Sequence, residues 1–450
     1  MERSVKKLLA VCLMCVLGTV GTFPALANGQ REGKAGAGAE FAGVEIDAAL
    51  QSLPSTTFLT DKLPEFEKRT GMKVRLHFLP EIELWDRIVV DVSTGVGSYE
   101  VIGMDPMFIP EFAEAGWIWP MDDYVNGDKG YDVNGIMPKY LGINKYKGKL
   151  YALPVYGETT ITWYRKDVLD KAGIKAPDSI QDFWNVAERL NNPPELYGVA
   201  MRGMRGSSMN MFIYTTFMKA FGATFFDSSW NPTFNNAAGV KAAEYYRDVL
   251  KKFGPPGVAT FTWDDTAIVY ANGQVAMIID SIDFLDRVVD PEKSQIIGKV
   301  GCVPVPQGPG GRHPAIFTLG LALSKPANKT EKQKLAAAEF IKWATSKEIE
   351  QGKAFEANIP TPTRRIIFDD PRFVKKYGEN AYPGWLKSYM ADLEIADPDF
   401  RPRIVEWREI GDRLGIAIEE IVAGIKPAQT ALDEAAADVV TIFKASGRLK

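Results

Sequence analysis

Cysteine and histidine are scarce in this chain of 450 residues, which holds three cysteines and two histidines. Cys12 and Cys15 lie in an N-terminal apolar stretch, so Cys302 alone remains beyond it and cannot form an intramolecular disulfide. Neither His77 nor His313 has a histidine, a cysteine or clustered carboxylates at the spacing of a metal site. We therefore expect core packing, rather than disulfides or a metal, to stabilise the fold.

The motifs of several enzyme classes are also missing. The chain contains no GxSxG elbow, no GxxxxGK[ST] loop and no GxGxxG loop, which excludes the common hydrolase, P-loop and dinucleotide-binding sites. We therefore expect no cofactor. A pair of Asp or Glu residues that hydrolyses glycosides stays open as an alternative, because the separation of two carboxylates cannot be read from sequence.

Positive charge is not concentrated anywhere along the chain. Lys and Arg number 53 against 57 Asp and Glu, which gives a net charge of −4. A mildly acidic chain without basic clusters argues against a nucleic-acid partner.

Long apolar runs are confined to the N-terminus. Three basic residues precede the apolar stretch Leu8–Val20, and Ala25-Leu26-Ala27 supplies a small-x-small cleavage site. The stretch is shorter than the roughly 20 residues that span a bilayer. We therefore predict a cleavable signal peptide over residues 1–27, export to the periplasm, and a flexible Gly/Ala-rich tether over residues 28–42.

Strand and helix patterns alternate beyond this tether. Strands are predicted from Val44, at Val74–Phe78 and at Val101–Met104, with a helix around Leu84–Val92 between them. Pro64 suits the first turn of a further helix, which runs to Arg69. This βαβ order predicts an α/β fold whose mainly parallel sheets are flanked by helices, and the length suggests two or more cores.

The alternation continues to a helical C-terminal region. Capping patterns at Ser179 and Thr330 each open a helix. Apolar residues then recur at steps of three or four and predict core-facing helix stripes. The stripes comprise Leu335, Ala338 and Ile341; Ile410, Leu414, Ile418, Ile421 and Ile425; and Leu432, Ala436, Val439 and Phe443.

Three buried runs finish in a charged residue. Asp105 follows Val101–Met104, Arg202 follows Val199–Met201, and Asp280 follows Val275–Ile279. Because ligands of open parallel sheets lie beyond the carboxyl ends of strands, these side chains are candidates for a binding cleft. Loop caps or salt bridges remain the alternative for each one.

Aromatic residues cluster near the same positions. Tyr156 precedes Glu158, Trp263 precedes Asp264 and Asp265, and Trp85, Trp163 and Tyr164 also lie close to predicted strand ends. Sites for sugars and polyols combine flat aromatic faces, which cover C–H surfaces, with charged groups that hydrogen-bond the hydroxyls. Core packing is the alternative for most of these rings.

Five segments together resemble a known family. They are Pro64–Gly71, Gly116–Asp123, Gly148–Pro154 leading to Tyr164–Asp167, Asn272–Met277 and Phe340–Ser346. With them the chain resembles the extracellular solute-binding proteins of family 1, the sugar-binding subunits of bacterial ABC importers, and is similar to their sorbitol/mannitol-like group.

The resemblance implies a two-lobed periplasmic binding protein fold. Residues 43–155 plus 303–358 would form the first lobe, and residues 156–302 plus 359–450 the second lobe with the C-terminal helices. The chain would cross between the lobes near Tyr156–Thr159, Cys302–Val305 and Ile359–Thr363. The ligand would lie between the lobes, which close by hinge motion.

The resemblance also orders the candidate ligand-binding residues. Tyr156, Glu158 and Thr159 come first because they follow the Leu-Pro motif. The second group adds Arg202, Asp105, Trp263, Asp264, Asp280 and Phe317. Met204, Met209, Met211 and Phe212 depart from the family pattern and predict a more apolar, adaptable wall.

The expected function is reversible capture of a sugar or polyol, without catalysis, by a monomer that serves the permease subunits of an ABC importer. A secreted carbohydrate-active enzyme with two catalytic carboxylates is the first alternative. Binding of another small solute, such as an organic anion held by Arg202, Arg205 or Arg364, is the second.

Overall fold

The computed structural model describes residues 40–326 and 328–449. The predicted signal peptide, residues 1–27, and residues 28–39 of the predicted tether lie outside the described residues. Among the helices described, none combines the length and the apolarity that crossing a bilayer requires.

The described residues form an α/β structure with strands of two to fourteen residues. The strands are β1 Glu45–Gln51, β2 Lys73–Leu79, β3 Val101–Met104, β4 Ile118–Trp119, β5 Lys145–Tyr146, β6 Lys149–Leu150, β7 Ala152–Arg165, β8 Tyr197–Ala200, β9 Val275–Ser281, β10 Val300–Val303 and β11 Ile316–Ser324.

Helices flank these strands and make up most of the C-terminal region. The helices are α1 Pro54–Thr57, α2 Leu59–Thr70, α3 Glu81–Thr94, α4 Ile109–Glu114, α5 Asp122–Val125, α6 Pro138–Ile143, α7 Lys166–Ala172, α8 Ile180–Leu190, α9 Asn210–Ala220, α10 Ala237–Phe253, α11 Trp263–Ala271, α12 Leu285–Val289, α13 Glu331–Ala344, α14 Lys347–Phe355, α15 Arg365–Phe368, α16 Pro371–Tyr377, α17 Trp385–Ile395, α18 Trp407–Ala423 and α19 Ala428–Ala445. Short 3₁₀ turns lie at Val133–Gly135, Val258–Thr260 and Ile282–Phe284.

One long strand carries two half-sheets. The sheet order is β2-β1-β3-β11-β7-β9-β8, with β4 beside β11 and β10 beside β7. Residues Ala152–Thr159 of β7 pair with β11, whereas Thr160–Tyr164 pair with β9. We call β2, β1, β3, β11 and the first part of β7 the first half-sheet, and the second part of β7 with β9, β8 and β10 the second half-sheet. The partner change between Thr159 and Thr160 therefore divides the structure.

The pairing is parallel at the outer strands and antiparallel at the centre. Strand β1 pairs in parallel with β2 and β3, and β8 pairs in parallel with β9. Strands β7 and β11 run antiparallel to their neighbours. Parallel connections need a crossover helix, which the alternating sequence supplies.

A β-bulge reshapes β7 beside the partner change. Leu319 of β11 lies opposite Tyr156, whereas Gly320 lies opposite Pro154, so Val155 is the extra residue. A bulge of this kind bends a strand and redirects its side chains. The carbonyl of Val155 accepts a hydrogen bond from Lys353, which is buried and paired with Glu350. The bulge is thereby held where β7 enters the region between the half-sheets.

Local sequence signals fix several helix ends as predicted. The Ser179 hydroxyl accepts a hydrogen bond from Asp182 N, and the Thr330 hydroxyl accepts one from Gln333 N. Each is one half of a capping box, which satisfies free N–H groups of the first turn.

Two helix predictions were wrong. Pro64 lies in the interior of α2 and not in its first turn. The hydrogen bond that proline cannot donate to the Thr60 carbonyl is tolerated there because Pro64 and Thr60 are both exposed to water. Ile425 is 69% exposed, because α18 ends at Ala423 and Gly424 turns the chain at a φ of 75°.

The other stripe residues are buried, with one exception. Leu335 is 43% exposed, whereas Ala338 and Ile341 on the same helix are buried. Cys302 is buried in β10, and burial raises the pKa of its thiol well above the usual range.

Candidate ligand-binding site

A cavity lies where β7 passes between the half-sheets. Its water-accessible volume is about 60 Å³. Its walls are formed by Gln51, Leu53, Glu81, Tyr156, Glu158, Arg202, Ser208, Phe212, Trp263, Ser281, Asp283, Phe284, Phe317 and Arg401.

Strand ends bring polar side chains to this cavity from both half-sheets. Gln51 is the last residue of β1 and Ser281 the last residue of β9, while Arg202 lies two residues beyond β8. All three strands present their carboxyl ends here, which is where open α/β sheets bind ligands. The site is therefore composite, with each half-sheet supplying part of the wall.

Glu158 is the centre of a hydrogen-bond network on β7. Tyr156 and Glu158 are two residues apart in a strand and so share a face. The Tyr156 hydroxyl donates to Glu158 Oε2 at 2.6 Å, and the Ser281 hydroxyl donates to the same oxygen. Burial raises the pKa of Glu158 to about 7, although the charge of Arg202 and the two hydroxyl donors act in the opposite direction. Its carboxyl group therefore titrates near neutral pH.

Arg202 is held by a bidentate ion pair. Its Nε and Nη2 donate to the two carboxylate oxygens of Asp280 at 3.0 and 2.5 Å, and its Nη1 donates to the Ser208 carbonyl at 3.0 Å. The guanidinium lies 4.8 Å from the centre of the Phe212 ring. The side chains of Arg202 and Asp280 are 7% and 0% exposed, so the pair is shielded from solvent and fixes the guanidinium in one orientation.

Arg401 reaches the cavity from the segment between α17 and α18. It is 1% exposed, its Nη1 donates to the Ser207 carbonyl at 2.6 Å, and its guanidinium lies 5.2 Å from the centre of the Phe212 ring. Phe212 is therefore in contact with both guanidiniums of the cavity.

Further carboxyl groups line the cavity beside these cations. Glu81 begins α3 and accepts a hydrogen bond from the Ser208 hydroxyl at 3.0 Å, which links the two sides of the cavity. Burial raises the pKa of Glu81. Burial, together with the nearby carboxylates of Asp286 and Glu158, raises the pKa of Asp283 well above the usual range.

Aromatic rings complete the wall. Tyr156 and Phe317 pack edge to face with ring centres 6.2 Å apart, and Trp263, Phe212 and Phe284 also line the cavity. Flat apolar faces next to charged hydrogen-bonding groups suit a solute that carries C–H surfaces and hydroxyls together.

Five of the nine predicted ligand-binding residues line the cavity: Tyr156, Glu158, Arg202, Trp263 and Phe317. Asp280 is not in the wall and instead orients Arg202. Asp105 is also outside the wall. It is buried after β3 and accepts a hydrogen bond from Met107 N at 2.8 Å. Burial raises the pKa of Asp105, although the charge of Arg401 acts in the opposite direction.

Two of the nine point elsewhere for simple physical reasons. Thr159 is adjacent to Glu158 in a strand and so faces the opposite side, where its hydroxyl donates to the Ala315 carbonyl at 2.7 Å. Asp264 lies in the first turn of α11 and pairs with Arg287 at 2.6 Å on the partly exposed surface.

Other candidate residues also lie outside the wall. The Trp163 indole is buried and donates to the Ser281 carbonyl at 3.0 Å, so it is a core residue. Phe212 lines the cavity, but Met204, Met209 and Met211 of the predicted apolar wall do not. Arg364 donates to three backbone carbonyls away from the cavity, and Arg205 is exposed.

Sequence reasoning missed several residues of the wall. Gln51 and Ser281 are the last residues of β1 and β9, so the strand-end rule could have found them if the ends of these strands had been predicted correctly. Glu81, Asp283 and Arg401 gave no comparable signal, because their approach to the cavity depends on how distant helices and loops pack. In residues 40–326 and 328–449, no cluster of three or more His, Cys, Asp or Glu side chains could hold a metal ion.

The chain matches a known protein family and is similar to proteins of that kind. The profile of the family described as bacterial extracellular solute-binding protein matches residues 51–351. The chain is 29% identical to a mannitol-binding protein of Pseudomonas aeruginosa over 312 residues, which is 68% of this chain and 70% of that protein.

Two solved structures are similar over nine-tenths of the chain. An ABC transporter solute-binding protein from Agrobacterium radiobacter K84, in complex with ribitol, has a TM-score of 0.81 and 27% identity, covering 90% of this chain and all of that one. Another from Agrobacterium vitis S4, with bound D-mannitol, has a TM-score of 0.79 and 27% identity, covering 90% and 99%. These similarities confirm the predicted two-lobed α/β fold.

Proposed function

The chain belongs to the bacterial extracellular solute-binding protein family, as its motifs predicted, and from that membership we propose that it reversibly captures a sugar or sugar alcohol between its lobes and presents it to the permease of an ABC importer. The proteins to which it is similar are binding proteins, and the names of three of them mention mannitol or ribitol.

The observation that carries this proposal is the composition of the cavity wall. Glu158 and Arg202 each have part of their hydrogen-bonding capacity fixed by neighbours, Tyr156 and Asp280 respectively. Trp263 and Phe317 supply apolar faces in the same cavity. A hydroxyl group both donates and accepts, so a polyhydroxylated solute suits this mixture of charged and aromatic groups. The small volume of the cavity favours a small solute over a long oligosaccharide.

The proposal includes two lobes that close on the solute. The first lobe would comprise residues 43–155 plus 303–358, and the second lobe residues 156–302 plus 359–450. The change of partner within β7 between Thr159 and Thr160 supports a crossing at that point. The hydrogen bond between Ser208 and Glu81 supports a closure in which side chains from both lobes meet.

We further propose export, binding without catalysis, and a monomeric state. Residues 1–27 have the sequence pattern of a cleavable signal peptide, which would direct the chain to the periplasm. The cavity carboxyl groups would serve as hydrogen-bonding groups for the solute rather than as a catalytic pair. Closure around the solute would then favour the form that the permease recognises.

A ligand screen tests this proposal. Residues 28–450 are purified, unfolded and refolded to remove any bound solute, and screened by thermal shift against ribitol, D-mannitol, D-sorbitol, erythritol, maltose and glucose. We expect at least one to raise the melting temperature and to change tryptophan fluorescence, because Trp263 lines the cavity. NMR of the same solute after prolonged incubation should show no product. A protein that none of these solutes stabilises, or that converts one of them, would contradict the proposal.

A further inference from the structure

Arg401 is a buried guanidinium whose hydrogen-bonding capacity the fold leaves largely unused. It is 1% exposed and donates through Nη1 to the Ser207 carbonyl. Within the part of the chain that the structure describes, its Nε and Nη2 atoms are buried and have no acceptor. Buried donors of a charged group are normally hydrogen-bonded, because leaving them unpaired is costly. The side chain lines the cavity, so a bound solute is the natural source of the acceptors.

The other buried arginines show that this state is particular to Arg401. Arg202 directs Nε and Nη2 to Asp280. Arg364 is 2% exposed, lies 4.8 Å from the Tyr131 ring and donates to three backbone carbonyls at 2.8 to 3.2 Å. Arg401 has similar burial and a similar aromatic neighbour in Phe212, yet among the residues that the structure describes only one of its three nitrogens has an acceptor.

Gln51, another residue of the cavity wall, presents the complementary feature. It ends β1 in the first half-sheet and is 6% exposed. Among the described residues its side-chain oxygen, Oε1, is buried and has no donor. Among the described residues, the same cavity therefore contains unmatched donors on Arg401, from the segment between α17 and α18, and an unmatched acceptor on Gln51, at the end of β1.

The charges of the wall restrict the chemistry of the solute. The carboxyl groups of Glu81, Glu158 and Asp283 face the cavity, and Arg202 is already paired with Asp280. A carboxylate ligand would satisfy Arg401 but would lie among three carboxyl groups, which disfavour it electrostatically when they are ionised, as Glu158 is above about pH 7. An amine would suit those carboxyl groups but could not accept from Arg401. A hydroxyl can accept from the guanidinium and donate to an oxygen.

We propose that Arg401 and Gln51 are the specificity-determining residues of the cavity for a neutral solute with adjacent hydroxyls. Arg401 donates from Nε and Nη2 to the oxygens of two neighbouring hydroxyl groups, and Gln51 accepts from a hydroxyl of the same solute. The planar guanidinium directs these two donors in parallel, which matches two oxygens on adjacent carbons. This inference rests on the proposed function and specifies the chemistry that the site selects.

The test compares Arg401→Met with Arg364→Met by calorimetric titration, using whichever of ribitol, D-mannitol and D-sorbitol binds the wild type most tightly. We expect Arg401→Met to bind this alditol about 100-fold or more weakly than the wild type, because the variant loses two hydrogen bonds from a charged donor. Its ligand-free stability should fall less than that of Arg364→Met, since it loses one hydrogen bond, to Ser207, and the attraction between the charges of Arg401 and Asp105. Arg364→Met should show the reverse: a large loss of stability, because three carbonyls lose their donor, and an affinity within about threefold of the wild type.

Two further readouts separate recognition from a structural effect. Gln51→Met should weaken binding about tenfold. Monodeoxy analogues of the same alditol should identify two adjacent hydroxyls whose removal weakens wild-type binding about tenfold each, but changes the affinity of Arg401→Met much less. The wild-type part of this comparison remains valid if Arg401→Met does not fold. D-mannonate and 1-amino-1-deoxy-D-mannitol should both bind the wild type more weakly than D-mannitol.

The outcomes that overturn the inference differ from those that overturn the proposed function. A wild type that binds an alditol while Arg401→Met binds it within about threefold would overturn the role of Arg401 alone. Losses that are equal for the parent alditol and for every deoxy analogue would assign Arg401 a structural role. Tighter binding of D-mannonate than of D-mannitol would overturn the preference for a neutral solute. A wild type that binds no sugar and no alditol would overturn the proposed function and this inference together.

Discussion

Replacing Asp280 by asparagine should strongly destabilise the ligand-free protein. Asp280 accepts hydrogen bonds from Arg202 Nε and Nη2 and from Ser281 N, and its side chain is fully buried. Asparagine keeps the shape but removes the negative charge, which leaves the Arg202 guanidinium buried without its counter-ion. Removing one partner of a buried ion pair costs about 3–5 kcal/mol. Because the asparagine oxygen can still accept one hydrogen bond, we expect a loss of about 3 kcal/mol in the free energy of unfolding.

The assay is equilibrium urea unfolding of the ligand-free protein at pH 7.5, with reversibility checked by refolding. Asp264→Asn is the matched control, since Asp264 also pairs with an arginine, but the side chains of Arg287 and Asp264 are 24% and 45% exposed. An exposed pair of that kind contributes less than about 1 kcal/mol. If the two variants lost the same stability to within about 1 kcal/mol, the argument from burial would be refuted.

Three further predictions concern titration and backbone packing. The affinity of the wild type for its best alditol should rise between pH 6 and pH 8, because a solute hydroxyl donates better to the ionised form of Glu158, whose pKa burial raises to about 7. Calorimetry in buffers of different ionisation enthalpy should detect proton release on binding. Glu158→Gln should abolish both the pH dependence of the affinity and the proton release. Burial raises the pKa of Asp392 from 3.8 to about 7, so between pH 4 and pH 7 the folded state retains a proton that the unfolded state loses. As the pH rises through this range, the Asp392 carboxyl group should therefore lower the free energy of unfolding by about 1.4 kcal/mol per pH unit. Urea unfolding at pH 5 and pH 8 should show a smaller fall for Asp392→Asn than for the wild type, and equal falls would contradict the assignment. Gly157→Ala should lower the free energy of unfolding by more than about 2 kcal/mol, because its new Cβ would lie 2.6 Å from the buried Tyr140 ring. Gly142→Ala is the control: its new Cβ has no neighbour nearer than 3.6 Å, so its free energy of unfolding in the same urea assay should be close to that of the wild type.

Local interactions explain why much of the fold could be predicted. The caps at Ser179 and Thr330 and the strand β2 depend on residues a few positions apart, and all three are present in the structure, although exposure alternates only over the first three residues of β2. The errors at Pro64 and Ile425 depend instead on where a helix begins or ends, which tertiary packing decides. The two half-sheets that share β7 bring together residues far apart in sequence. A crossing of the chain at this point was expected only through the family resemblance.

The residues of the cavity wall also fall into those that local sequence patterns predict and those that tertiary packing decides. Tyr156 and Glu158 line it together because they alternate on one face of a strand, and the same alternation, applied strictly, would have excluded Thr159. The strand-end rule predicted Asp280 as a ligand-binding residue, but Asp280 is not in the cavity wall and its carboxylate contacts Arg202. Arg401 lies between two C-terminal helices, and nothing in a single sequence indicates which loop of that region returns to the cavity.

Calorimetric titration of the refolded, ligand-free protein with ribitol and with D-mannitol tests the central claim most directly. The account predicts saturable binding of one molecule per chain for at least one of these neutral alditols, lost in Arg401→Met and retained in Arg364→Met. The absence of binding to either alditol and to the neutral sugars, together with saturable binding of an organic anion such as D-mannonate, would contradict it.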